Sequence, residues 1–180
     1  MKHKRIALVG RPGSGKTTLA RQLAQTYHLH HIEVDQLFWQ ENWTALPTSL
    51  FREKIAQAIN GDQWVIDNYF IEIRDMVWCR AEIIIWLDYP LWLCTWRFVR
   101  RTWWDYFQQS KIWGNNQLSL SALYAGKPPL WWWMWYTYHT RPRNYPKLFA
   151  HPDYTHLRVI RLASLSETRD FLAELDLIFQ

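Results

Sequence analysis

Eight consecutive residues, Gly10-Arg11-Pro12-Gly13-Ser14-Gly15-Lys16-Thr17, fit the pattern Gly-x-x-x-x-Gly-Lys-[Ser/Thr] directly after the apolar run Ile6-Ala7-Leu8-Val9. A strand, a glycine-rich turn and a helix in that order make a phosphate-binding loop. The glycines let the backbone bend so that successive N–H groups converge on phosphate oxygens, with the positive end of the next helix behind them. Gly10, Pro12, Gly13, Ser14, Gly15, Lys16, Thr17 and Thr18 are therefore expected to hold the phosphates of ATP. Lys16 would reach the β and γ phosphates, and the Thr17 hydroxyl a magnesium ion.

Phosphoryl transfer is mostly positioning and charge neutralisation, so the chain should also supply a metal carboxylate, arginines and an acid or base near the acceptor. Asp67 and Asp88 each close an apolar strand-like run, Trp64-Val65-Ile66 and Ile83-Ile84-Ile85-Trp86-Leu87. Either can serve magnesium or cap the next turn; Asp67 is favoured, because Tyr89-Pro90 follows Asp88 immediately. Asp35 lies just beyond the strand-like His31-Ile32-Glu33-Val34, with Phe38, Trp39 and Trp43 downstream. It can orient an acceptor hydroxyl and take its proton, or cap a helical turn. Arg97, Arg100 and Arg101, spaced i, i+3, i+4, share a helical face and could converge on phosphates or simply be solvated. Arg141 and Arg143 flank Pro142 and could be delivered to the transferring group on closure of a lid, with exclusion of water. Alternate facing of strand residues argues against a zinc site at His30, His31, Glu33 and Asp35.

The elements that must position these groups alternate regularly. Leu19, Leu23 and Tyr27 form the buried stripe of a helix after the loop. His31–Val34 reads as a second strand, followed by a helix presenting Phe51, Ile55, Ala58 and Ile59 and ending at Asn60-Gly61. The runs ending in Asp67 and Asp88 read as strands buried on both faces of a parallel sheet. Leu157–Leu162 would be the fifth strand, and Ser164 with Glu167 a capping box for a closing helix carrying Phe171, Leu172, Leu175 and Ile178. This order predicts an α/β three-layer P-loop NTPase fold with a five-stranded parallel sheet and its ligand at the strands' carboxyl ends.

The 180 residues suit one domain with residues 90–150 as a lid or substrate insert. That segment holds eight Arg and Lys against the single acid Asp105, a net of +7 in a chain of net +5, and nine of the 14 tryptophans. Cationic and stacking groups concentrated together suit a polyanion carrying a flat or apolar group. The run Leu130–Tyr136 is too short to span a bilayer; it reads as lid core, pocket lining or an interfacial belt. Two distant cysteines and no signal-like N-terminus suggest a reducing, cytoplasmic setting. Oligomeric state is not legible.

The ordered set Gly10 to Thr17, Asp35, Trp64-Val65-Ile66-Asp67-Asn68-Tyr69, Asp88 and the arginine helix resembles the adenylate-kinase-related P-loop proteins often called topology modulation proteins. The resemblance implies a nucleoside or small-molecule kinase using ATP and Mg2+, with Lys16 and Thr17 at phosphate and metal, Asp67 as a water-mediated magnesium carboxylate, Asp35 on the acceptor side, and Arg97 or Arg101 as a lid arginine. Asp67 is followed here by Asn68-Tyr69, where nucleoside monophosphate kinases carry Gly-Phe-Pro-Arg, so AMP as acceptor is not implied. The leading expectation is a kinase acting on a small-molecule phosphate acceptor, a nucleotide or nucleoside among the candidates. The competing one is a nucleotide-gated regulatory protein whose basic aromatic surface binds single-stranded nucleic acid or a membrane surface.

Overall fold

Continuous apolar runs with no polar alternation suit the middle of a parallel sheet covered on both sides. The computed structural model, which describes residues 4–67, 70–117, 136 and 144–178, places them there. Five parallel strands, β1 (Lys4–Gly10), β2 (His30–Glu33), β3 (Gln63–Asp67), β4 (Ile83–Leu87) and β7 (Arg158–Leu162), lie in the order β2-β3-β1-β4-β7. In register, Ile6 of β1 faces Val65 of β3 and Ile83 of β4, and Ile85 faces Ile160 of β7. Successive segments run from β1 to the β2 edge, return through β3, and cross to β4. The carboxyl end of β1 is therefore where connections diverge, the usual crevice of an open α/β sheet.

Strand alternation sends one set of side chains to each face, and each set builds its own core. On one side Leu8, Val65, Ile85 and Leu87 pack with Leu19, Ala20 and Leu23 of α1 (Lys16–Tyr27) and with Phe171 and Leu175 of α6 (Leu165–Ile178). On the other, Ala7, Ile32, Ile66 and Trp86 meet Phe51 and Ile55 of α3 (Thr48–Ala58), Val77 and Trp78 of α4 (Arg74–Arg80), and Tyr145 of the helical run 144–149. These two faces make the α/β three-layer P-loop NTPase fold.

Local signals operate as the sequence indicates. The Ser164 hydroxyl accepts from the Glu167 N–H at 3.1 Å, while the Glu167 carboxylate accepts from the Ala163 N–H at 2.8 Å, so the closing helix has a capping box whose return bond reaches one residue before the cap. The expected second strand lies one residue earlier, because Val34 already belongs to α2 (Val34–Phe38). Helix α5 (Leu91–Phe107) carries the arginines and is followed by a small antiparallel hairpin of β5 (Lys111–Ile112) and β6 (Asn116–Gln117). Within the segment expected as an insert, Tyr145 is 1% exposed, its ring stacked on Phe149 at 5.7 Å and edge-on to Trp86.

Helix α1 ends on His28 at φ 54° and ψ 41°, with the Leu29 N–H donating to Ala24 O at 3.0 Å. A side chain in that left-handed position is strained by about 1 kcal/mol, which is why glycine usually stands there. His28→Gly is expected to raise the urea midpoint, equivalent to about 0.5–1 kcal/mol, without altering m.

Candidate functional site

The loop's shape follows from how closely its neighbours approach. Gly10 (φ 155°), Gly13 (φ 76°) and Gly15 (φ 92°) all have positive φ. A Cβ on Gly10 would lie 2.6 Å from Leu87 O of β4, and one on Gly13 only 2.2 Å from Cys94 O of α5. The loop is thus wedged between the end of β4 and the first turns of α5, and only glycine fits at those contacts. Gly15, in the left-handed conformation, caps α1, so the loop amides run directly into the helix N-terminus. Ser14 is buried, and its N–H donates to Arg11 O at 3.2 Å; Pro12 is half-buried and Thr18 exposed on the first turn of α1.

Lys16 is almost fully buried, and its Nζ donates to Gly10 O at 3.1 Å and to Arg11 O at 2.8 Å. The two carbonyls hold the ammonium across the mouth of the loop, where a triphosphate tail would meet it. Burying an ammonium is costly unless it is hydrogen-bonded, so the pinning is required as well as useful.

The two carboxylates that the sequence leaves in competition part ways here. Both Asp88 oxygens are engaged: Oδ1 accepts from Arg11 Nη1 at 2.8 Å, and Oδ2 from Arg161 Nη2 at 2.6 Å and Nε at 3.0 Å. Arg11 Nη1 also donates to Tyr89 O at 2.7 Å. Asp88 is thereby a strut between the phosphate loop and β7, a part that sequence reading did not give it. Asp67, at the carboxyl end of β3, is 0% exposed, and neither of its oxygens has a hydrogen-bond partner. Its neighbour is His31 Nε2 at 3.6 Å, an ion pair only when the imidazole is protonated. A buried carboxylate left unsatisfied in this way normally has a cation or ordered water as its complement. Asp67 shares a sheet face with Val65, against which α1 packs, and Thr17 lies in the first turn of that helix. These donors are oxygen ligands of the kind magnesium prefers.

The arginines are not gathered together. Arg97 is half-buried, with Nη1 3.8 Å from where a Cβ on Gly15 would lie and its guanidinium 6.0 Å from the Tyr89 ring centroid. Arg100 and Arg101 are exposed, lying against Trp96 at 4.9 Å and Phe98 at 6.0 Å. Arg141 and Arg143 lie outside the described residues, as does the tryptophan cluster 131–135. Cys94 is buried beside Gly13, and burial pushes its thiol above the ordinary range, which keeps it protonated and unreactive.

Asp35 stands in the first turn of α2, one residue inside the helix from Val34, while Glu33 holds the N-cap position. The aromatic residues beyond it form a chain of edge-on contacts, Phe38 to Trp39 at 4.9 Å and Trp39 to Trp43 at 5.6 Å. The β5–β6 hairpin is bolted to this segment. Trp113 Nε1 donates to Glu33 Oε1 at 2.5 Å, the Trp43 N–H to Asn116 Oδ1 at 2.7 Å, and Asn116 Nδ2 to Gln40 O at 2.8 Å. Trp43 adopts φ 54°, a strained value for a bulky side chain that these bonds sustain. In the sequence, Gly114-Asn115-Asn116 reads only as a break in the 90–150 segment. A lone buried asparagine 73 and 76 residues from these partners leaves no periodic signal.

Comparison with known proteins supports the fold. Residues 6–75 match the model of the ATPase family associated with various cellular activities (AAA). Shikimate kinase from Aquifex aeolicus is similar in structure, with TM-score 0.52, 14% identity and 96% of both chains covered. Shikimate kinase from Bacteroides thetaiotaomicron gives 0.53 and 17%, with 98% of both chains covered. The Acinetobacter baumannii enzyme in complex with shikimate gives 0.50 and 18%, covering 97% of this chain and 93% of that one. No curated protein sequence matches the chain. At these identities the likeness establishes the P-loop kinase-like fold.

Because an added methyl at Gly13 meets backbone rather than a movable side chain, Gly13→Ala is expected to weaken ATP binding at least about tenfold in calorimetric titration. Gly61→Ala, at a position with nothing within 4 Å, serves as the control and should bind as the parent does.

Proposed function

We propose that the protein is an ATP-dependent phosphotransferase that moves the γ-phosphoryl group to a small acceptor bound between Asp35 and the basic segment 90–150. The observation that carries this reading is the pairing of a glycine-shaped loop, with Lys16 pinned across its mouth, and a fully buried Asp67 that has no hydrogen-bond partner. A loop built only for stability has no need of either. The kinase-like fold agrees with it.

In this reading the amides of residues 13–17 and the α1 N-terminus hold the β and γ phosphates, and Lys16 stabilises the charge that gathers on the transferring group. Thr17 and, through water, Asp67 would hold magnesium, which supplies further charge neutralisation between the β and γ phosphates. Arg97, half-buried beside Gly15, lies where a guanidinium can follow the γ-phosphoryl oxygens, and Arg101, Arg141 and Arg143 are further candidates on the same basic segment. Asp35 orients the acceptor hydroxyl and accepts its proton. The O–P bond to the acceptor forms as the bridging O–P bond of ATP breaks, and ADP leaves with the charge.

The finer identity we favour is a member of the adenylate-kinase-related group of small-molecule and nucleotide kinases, with a nucleotide or nucleoside among the acceptors to be tried first. The half-buried rings of Trp39 and Trp43 near Asp35 offer a flat surface for such a ring system.

Screening nucleosides, nucleotides and small alcohols for ATP-dependent phosphorylation tests the reading directly. Lys16→Ala should lower kcat/KM for the best acceptor by at least about a hundredfold, and Asp67→Asn should weaken the magnesium dependence of ATP binding. Turnover that survives loss of the Lys16 ammonium would end the proposal.

A further inference from the structure

Helix α5 faces the wrong way for an ordinary surface helix. Its only fully buried residue is Cys94, yet large apolar side chains lie in solvent: besides Trp104 at 63%, Trp92 is 70% exposed, Trp96 56%, Val99 41%, Trp103 56% and Phe107 71%. Trp104 stands apart from the other five. At 100° per residue these five, spaced 4, 3, 4 and 4 apart, fall within one narrow sector of the helix. The stripe is ordered: Trp103 stacks on Phe107 with centroids 5.5 Å apart, and the Arg100 guanidinium lies over Trp96 at 4.9 Å. A contiguous exposed aromatic face of this kind marks an interaction site.

We propose that this face docks on an anionic phospholipid surface, with the helix lying parallel to the bilayer and the stripe sunk to headgroup depth. The charge distribution selects that occupant. Exposed Arg100 borders the stripe, one position round from Trp96 and Trp103, and Asp105 is the single acid of the helix. Cations alongside an aromatic ridge meet lipid phosphates while the rings enter the acyl boundary, the arrangement of an interfacial helix. A two-fold pairing of two α5 helices crossing near their middle would set Arg100 of each against the other, a like-charge contact that opposes self-association. The other flank of the stripe presents Thr95, Thr102 and Tyr106 and no cation, so the phosphates of a nucleic-acid strand would find partners along one edge only. No helix among the described residues is long and apolar enough to cross a membrane, so the contact would be peripheral. This inference is independent of the phosphotransfer reading.

Sedimentation with sucrose-loaded vesicles tests it on the full chain. The protein should bind phosphatidylcholine vesicles containing about 30% phosphatidylserine, more weakly as salt rises, and much less to phosphatidylcholine alone. The triple variant Trp96→Ser, Trp103→Ser, Phe107→Ser should lose at least about tenfold in partitioning with an unchanged circular dichroism spectrum; the single variant Trp103→Ser should show a smaller loss in the same direction. Absence of vesicle binding at low salt would overturn the proposal, as would equal binding by the variants. So would a stripe-dependent dimer in sedimentation velocity, or stripe-dependent binding of single-stranded DNA, without vesicle association.

Discussion

The close approach of the phosphate loop to two carbonyl oxygens, Leu87 O at the end of β4 and Cys94 O in α5, is the constraint on which the rest of the molecule turns. It leaves no room for a side chain at Gly10 or Gly13, and so fixes the loop's curvature through contacts outside it. The Arg11–Asp88–Arg161 strut reinforces the same wedge from the other side, tying the loop to β7. Loop, β4 and α5 are therefore held in close contact, with Lys16 buried against the loop carbonyls and Asp67 buried at the end of β3.

Much of this was legible from residue types. The loop announces itself through glycines whose positive φ is needed, the strands through apolar runs without alternation, and the closing helix through Ser164 and Glu167, whose hydrogen bonds form as their spacing indicates. Other features are invisible to local patterns because they depend on which elements meet. Nothing near Asp88 in sequence says that both oxygens are taken by arginines 77 and 73 residues away. Asn116 looks like a turn residue, yet it clamps Trp43 and Gln40 across the fold. The arginine spacing on α5 correctly places the three on neighbouring positions of one helix. The spacing alone cannot tell that Arg97 turns toward the loop while exposed Arg100 and Arg101 lie against Trp96 and Phe98.

The aromatic residues separate into distinct uses. Trp64, Trp78 and Tyr145 are buried and fill the layer beneath the sheet, where ring area stabilises whatever the protein does. Phe38, Trp39 and Trp43 lead from that core out to half-buried positions beyond Asp35. The α5 stripe serves neither purpose. Composition alone, with 14 tryptophans in 180 residues, could not divide them; the division follows from which helix face the sheet had already covered.

A crystal structure with a non-hydrolysable ATP analogue and magnesium tests the central claim most directly. The account predicts phosphate oxygens within hydrogen-bond distance of the amides of residues 13–17 and of Lys16 Nζ, with the metal bound between the phosphates, the Thr17 hydroxyl and a water held by Asp67. An analogue seated away from the loop, with Asp67 turned to some other partner, would contradict it.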